Sequence, residues 1–114
     1  MAPQDVRVAA GALEAAGSFA AELRRRFADS VVEVRLYGSY ARGEAHEESD
    51  VDVAVVLEDA RWATQREVID IAADTGLRCG LVFSPSIFDR DTYARWRRQE
   101  RPLAMDIERD GIPL

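Results

Sequence analysis

The chain contains no lysine, although it carries 15 basic residues, all of them arginine. A lysine nucleophile or a lysine phosphate contact is therefore excluded. The single cysteine, Cys79, excludes a disulfide within the chain and agrees with a reducing compartment such as the cytoplasm. The net charge of −6 argues against general nucleic-acid binding, because a phosphate backbone requires a basic surface.

Long apolar runs are also missing. The longest aliphatic segment, residues 53–57, is far shorter than the about 20 residues that a helix needs to cross a bilayer. No apolar core typical of a signal peptide is found among the first residues. We therefore expect a cytoplasmic protein without a membrane partner, and we assign residues 1–114 to a single domain.

The pattern of apolar residues predicts helices and strands in mixed order. Helices are predicted over residues 13–27, 61–75, 89–98 and from Pro102, and strands over residues 31–37, 51–57 and 77–84. Gly76 is expected to cap the second helix, with Trp62 and Ile69 on its buried side. The order predicts an α/β (α+β) fold, a small mixed β-sheet with helices on one side.

Gly38 and Ser39 follow the first predicted strand directly. Glycine permits a sharp turn and lets a ligand approach the backbone, and Ser39 is positioned to cap the short helical turn of residues 40–42. Backbone N–H groups at such a turn, together with a hydroxyl, form a site for an anion such as phosphate. A plain turn explains the same two residues, so the pair alone does not decide between the alternatives.

Asp50 and Asp52 stand where the second predicted strand begins. Residues two apart on a strand point to the same face, about 6.5–7 Å apart. Two like charges at the start of a buried strand repel each other, and a divalent cation resolves that conflict. Oxygen ligands favour Mg²⁺ or Mn²⁺, whose coordination is completed by water and phosphate. A solvated acidic strand end is the alternative for an isolated Asp-x-Asp pair, but it leaves the preceding Gly-Ser turn unexplained.

These residues form the motif Gly38-Ser39-Tyr40-Ala41-Arg42-Gly43, followed by Ser49-Asp50-Val51-Asp52. The motif resembles the signature of the DNA polymerase beta-like nucleotidyltransferase superfamily, and more narrowly that of the minimal nucleotidyltransferases of prokaryotes. The similarity extends to the leading helix, the second helix and the closing segment, residues 102–114. The resemblance implies a nucleotidyltransferase fold, a small mixed sheet with helices packed on it.

The resemblance also implies roles for individual residues. Gly38 and Ser39 would hold the phosphates of a nucleoside triphosphate, with Ser49 of the motif in the same nucleotide-binding set. Asp50 and Asp52 would be the catalytic residues and the ligands of Mg²⁺ (or Mn²⁺). Arg42 either contacts phosphate or pairs with an acidic residue of the nearby loop, such as Glu44 or Glu47.

One position departs from the family pattern. Active members usually carry a third acidic residue on the strand that follows Asp50 and Asp52. The predicted strand, residues 77–84, contains neither Asp nor Glu, and the nearest acids are Asp74 before it and Asp89 after it. Nucleotide binding is therefore better supported by the sequence than turnover.

Two functions remain open at this point. The first is Mg²⁺-dependent transfer of a nucleoside monophosphate, AMP from ATP, to a hydroxyl. The resemblance implies a tyrosine of a HEPN-domain toxin as that acceptor, and an antitoxin role for this chain. The second is a catalytically weak or inactive binding module that neutralises such a toxin by direct contact.

Overall fold

The computed structural model describes the backbone of residues 3–46 and 48–114, and the side chains of residues 10–46 and 48–114. A single 3₁₀ turn, Ala28–Ser30, lies between the first helix and the first strand. The other elements are α1 (Pro3–Phe27), β1 (Val31–Tyr37), α2 (Ser39–Arg42), β2 (Val51–Leu57), α3 (Trp62–Cys79), β3 (Phe83–Asp89), α4 (Arg90–Arg98), α5 (Pro102–Asp110) and β4 (Ile112–Pro113). No helix in this part of the chain is long and apolar enough to cross a membrane.

The four strands form one mixed sheet in the order β3-β2-β1-β4. Strand β1 pairs antiparallel with both β2 and β4, whereas β2 and β3 run parallel. Parallel neighbours require a crossover, which α3 provides between β2 and β3. The predicted α/β fold with a small mixed sheet is confirmed.

Helices cover both faces of the sheet, so the prediction of helices on one side was wrong. The α1–α3 face buries Phe19 and Leu23 of α1 and Val68 of α3 against alternate residues of β1 and β2. The α4–α5 face buries Tyr93 and Ile107 against the residues in between. The physical reason is strand β2, which is apolar on both faces and needs a layer on each.

The boundary between α3 and β3 differs from the prediction. Helix α3 continues through Gly76 to Cys79 and ends at Gly80, whose φ of 70° is left-handed. Gly76 lies inside the helix, where an added Cβ would stand 2.4 Å from the carbonyl oxygen of Leu81. The third strand is therefore Phe83–Asp89 and not residues 77–84.

Two side chains of α3 and one residue of β3 also differ from expectation. Trp62 is 70% exposed and Ile69 is 47% exposed, so neither lies on the buried side of the helix. Pro85, which directly follows the strand predicted over residues 77–84, lies within β3. An edge strand tolerates proline because one row of its N–H groups has no partner strand, and β3 is at the edge of the sheet.

Candidate nucleotide and metal site

The two aspartates lie at one end of the sheet, where β2 begins. Asp52 is the second residue of β2 and is half-buried, while Asp50 precedes the strand and is exposed. Asp52 is paired with Tyr37 on β1 and with Ser84 on β3. Side chains at paired positions point to the same face. The sheet therefore places a carboxylate between a phenol and a hydroxyl.

Gly38 lies directly against the carboxylate of Asp52. Its φ of 76° and ψ of −154° fall in a region that is essentially restricted to glycine. A Cβ at this position would stand 2.2 Å from Oδ2 of Asp52, closer than real Cβ atoms approach. The glycine thus allows the turn after β1 to touch the aspartate of β2, which brings the two halves of the sequence motif together.

The short helix α2 begins immediately after this glycine. Its N-cap is Gly38, no side chain caps it, and Ser39 is its first residue, so the predicted cap by Ser39 was wrong. The N–H groups of a first helical turn lack intrahelical acceptors. Ser39, which is half-buried, directly follows Gly38 in the chain. The free N–H groups of this turn therefore begin next to the contact between Gly38 and Asp52. Gly43, with a φ of 73°, ends the helix in the left-handed conformation.

Arg42 pairs with acidic residues, as one of the two alternatives predicted. Its Nε donates to Oε2 of Glu44 at 3.0 Å, and its Nη1 donates to Oδ2 of Asp110 at 3.4 Å. Glu47, the other predicted partner, lies outside the described residues. The pairing with Asp110 joins α2 to the end of α5, a contact that no local sequence pattern indicates because the two residues are far apart in the chain.

Ser49 lies in the loop before Asp50 and makes contacts within that loop. Its hydroxyl accepts a hydrogen bond from the backbone N–H of His46 at 3.0 Å. Its carbonyl oxygen accepts one from the hydroxyl of Tyr40 at 3.4 Å. These bonds tie the loop to α2 and to the start of β2, so Ser49 has a structural role beside its predicted contact with nucleotide.

The electrostatics of the pair favour a bound cation. Burial raises the pKa of Asp52, the nearby charge of Asp50 raises it further, and Arg42 opposes the shift. Without a cation, the ionised form of Asp52 is therefore destabilised by burial and by repulsion from Asp50. A divalent cation between the two carboxylates would offset this cost. An all-oxygen donor set of two carboxylates fits Mg²⁺ or Mn²⁺, which complete their shells with water and phosphate.

Sequence reasoning missed two hydroxyl groups of β3 near the site, Ser84 beside the aspartates and Ser86 beside Tyr37. Ser84 Oγ donates a long hydrogen bond of 3.4 Å to Oδ2 of Asp50. Ser86 Oγ lies 2.9 Å from the hydroxyl of Tyr37, whose pKa is raised by burial and by the charge of Asp52. Ser84 was the last residue of the strand predicted over residues 77–84 and Ser86 lay beyond it, so the correct bounds of β3 were the signal needed. Among the side chains of residues 10–46 and 48–114, no group of three or more His, Cys, Asp or Glu is arranged to hold a metal.

The chain is similar to known protein families and curated proteins. Residues 17–101 match the model of the nucleotidyltransferase domain. The protein adenylyltransferase MntA of Thermococcus cleftensis is 41% identical over 70 residues, which cover 58% of this chain and 67% of that protein. A candidate protein adenylyltransferase of Methanocaldococcus jannaschii, MJ0141, is 36% identical over 63 residues, which cover 54% of this chain and only 64% of MJ0141. The chain thus spans less than two thirds of MJ0141.

Solved structures share the fold. A candidate minimal nucleotidyltransferase is 26% identical, with a TM-score of 0.60, and the match covers 86% of this chain and 87% of that one. A toxin–antitoxin complex with AMP-PNP contains a chain that is 21% identical, with a TM-score of 0.56, and the match covers 84% of this chain and 69% of that one. At that identity the second likeness concerns the fold alone.

Proposed function

Since this chain belongs to the nucleotidyltransferase domain family, we propose that it transfers AMP from ATP to a hydroxyl of a partner protein. The observation that carries this proposal is the contact between Gly38 and Asp52. It unites a turn suited to phosphate with a carboxylate pair suited to a divalent cation. A sheet that served only as a docking scaffold would need neither a glycine-only backbone nor two repelling carboxylates side by side.

Each residue of the site has a proposed role. Gly38 and Ser39 bind the triphosphate through the backbone and the hydroxyl, and Asp50 and Asp52 hold Mg²⁺. Arg42 and Ser49 complete the proposed nucleotide-binding set. Because Arg42 is already paired with Glu44 and Asp110, and the Ser49 hydroxyl with the loop, we expect each to contribute less to nucleotide affinity than Gly38 or Asp52.

The proposed reaction is an in-line displacement at the α-phosphorus of ATP. The acceptor oxygen forms a bond to the α-phosphorus while the bond to the bridging oxygen of the β-phosphate breaks. Pyrophosphate leaves with the electron pair, and the acceptor proton passes to water. A Mg²⁺ ion held by Asp50 and Asp52 would neutralise charge on the triphosphate and on the leaving pyrophosphate. The turn at Gly38 fixes the nucleotide relative to the carboxylates, and such positioning is a large part of catalysis.

The proposed acceptor is a tyrosine of a HEPN-type toxin, which makes this chain an antitoxin. Two comparisons support a protein acceptor and a toxin partner, while the tyrosine and the HEPN type rest on the resemblance of the sequence motif. MntA of Thermococcus cleftensis is named as a protein adenylyltransferase, and the complex with AMP-PNP is a toxin–antitoxin pair. The net charge of −6 supports a protein acceptor over a nucleic acid.

The experiment is intact mass spectrometry of the partner protein. A candidate HEPN-type partner protein is incubated with ATP, Mg²⁺ and either wild type or Asp52→Asn. We expect a mass gain of one AMP group with wild type, none with the variant, and none when the modified tyrosine of the partner is replaced by phenylalanine. A partner that gains no mass, although wild type binds ATP and Mg²⁺, would rule out transfer to that partner.

A second function is favoured by one specific observation, the absence of a third carboxylate from the site within the part of the chain that the structure describes. The chain would then neutralise a toxin by direct contact, with a weak or inactive catalytic site. The two functions differ in one measurement. Asp52→Asn neutralises the toxin as well as wild type if contact suffices, and it fails if transfer is required.

A further inference from the structure

The side chain next to the two aspartates on strand β3 carries a hydroxyl where a carboxylate would complete a three-acid site. Ser84 is paired with Asp52 across the parallel ladder. Its Oγ donates to Oδ2 of Asp50 at 3.4 Å. Ser84 is therefore the β3 side chain that borders both aspartates, whereas Ser86 lies one step further along, paired with Ala54 and bonded to Tyr37.

The charge of this arrangement limits how many cations it can hold. Triphosphate oxygens add negative charge only for the ion that they contact. An ion on the side of the attacking oxygen depends on the carboxylates of the protein, and two of them carry a charge of −2, which balances one divalent ion. A pair of divalent ions lies about 3.5–4 Å apart in two-metal sites and needs further anionic ligands to offset the mutual repulsion. A serine hydroxyl is neutral at physiological pH and supplies no such charge. Among the side chains that the structure describes, no third acid stands close enough to complete the site.

We propose that Ser84 restricts this site to one divalent cation for each bound triphosphate, while its hydroxyl orients the carboxylate of Asp50. The inference rests on the proposed nucleotide site. The chain would then form a one-cation site, which binds and holds the nucleotide but supplies no second ion to activate the acceptor hydroxyl. The consequence is slow transfer, set by a single residue of β3.

The test compares wild type with Ser84→Asp and Ser84→Asn. Asparagine has the shape of aspartate without its charge, so Ser84→Asn is the matched control. Equilibrium dialysis with Mn²⁺ and AMP-CPP, an ATP analogue whose α–β bridge is a methylene group and cannot be cleaved by attack at the α-phosphorus, gives the ratio of protein-bound Mn²⁺ to protein-bound nucleotide. We expect a ratio of one for wild type and for Ser84→Asn, and a ratio of two for Ser84→Asp.

Each outcome decides the proposal. A ratio of two in wild type overturns it, and so does a ratio of one in Ser84→Asp when thermal melting shows that this variant is folded. If Ser84→Asp does not fold, the wild-type ratio decides. Wild type that binds neither nucleotide nor Mn²⁺ overturns the proposed function as well, so the two failures are distinguishable.

Discussion

Replacement of Asp52 by asparagine should stabilise the protein in the absence of metal. Asp50 directly precedes β2 and Asp52 is its second residue, and residues two apart in an extended chain are about 6.5–7 Å apart. At an effective dielectric constant of about 40, between the values for a protein surface and for water, Coulomb's law gives a repulsion of about 1 kcal/mol. Asparagine removes this repulsion, together with the cost of burying a charge, and keeps the shape of the side chain. We expect the melting temperature of Asp52→Asn to rise by about 4 °C with EDTA at neutral pH.

The pH dependence of this difference follows from the sign of the pKa shift. The pKa of Asp52 is raised in the folded protein, chiefly by burial. Below the ordinary carboxyl pKa of 3.8 the folded and unfolded chains are both protonated at this residue, and its charge has no cost. As the pH rises through the raised folded pKa, wild type loses stability relative to Asp52→Asn. The gap in melting temperature should therefore widen from about pH 4 to neutral pH and then stay constant.

Added Mg²⁺ and AMP-PNP should reverse the order of stability. A ligand at about 100 times its dissociation constant stabilises the folded state by about 2.7 kcal/mol. Wild type should gain this amount, and Asp52→Asn should gain little. Differential scanning fluorimetry over pH, with EDTA and with the ligands, measures all three effects. If Asp52→Asn melts below wild type in EDTA, the carboxylate is held by favourable contacts and the argument for a strained pair is refuted.

Four further substitutions test other parts of the structure. Gly38→Ala should abolish nucleotide binding in calorimetric titration, because its Cβ would displace the carboxylate of Asp52. Gly80 also has a positive φ, but nothing lies within 4 Å of an added Cβ. Gly80→Ala should therefore lower the free energy of unfolding by about 1 kcal/mol and leave nucleotide binding intact. Equal loss of nucleotide binding in Gly38→Ala and Gly80→Ala would contradict this reasoning. Glu108→Ala should lower the free energy of unfolding by about 1–3 kcal/mol in urea titration. The reason is that this carboxylate accepts hydrogen bonds from Arg35 of β1 and Tyr93 of α4. A loss below about 0.5 kcal/mol would show that solvent screens these hydrogen bonds. Gly17 lies inside α1, and nothing stands within 4 Å of an added Cβ. Gly17→Ala should therefore raise the free energy of unfolding by about 0.5–1 kcal/mol. A lowered melting temperature would show a close contact instead.

The tight clustering of the motif let the sequence determine much of this site. Gly38, Asp50 and Asp52 are separated in the chain by only one turn and one loop. Their residue types alone predict a close approach to the backbone at the glycine and a pair of repelling charges at the aspartates. The apolar character of residues 53–57 showed that a buried strand follows. These features can be interpreted without the rest of the fold, because strand geometry alone determines which side chains share a face.

Tertiary structure decided everything that depends on which strand lies beside β2. The end of α3 moved from Gly76 to Gly80, because a glycine preference does not show which glycine adopts the left-handed conformation. That shift placed Ser84, and no acid, next to Asp52. The Arg42–Asp110 contact likewise joins residues that are distant in the chain. Long-range pairing is set by packing of the whole core and leaves no periodic trace in the local sequence, so only the folded chain shows that a neutral hydroxyl stands beside the two aspartates.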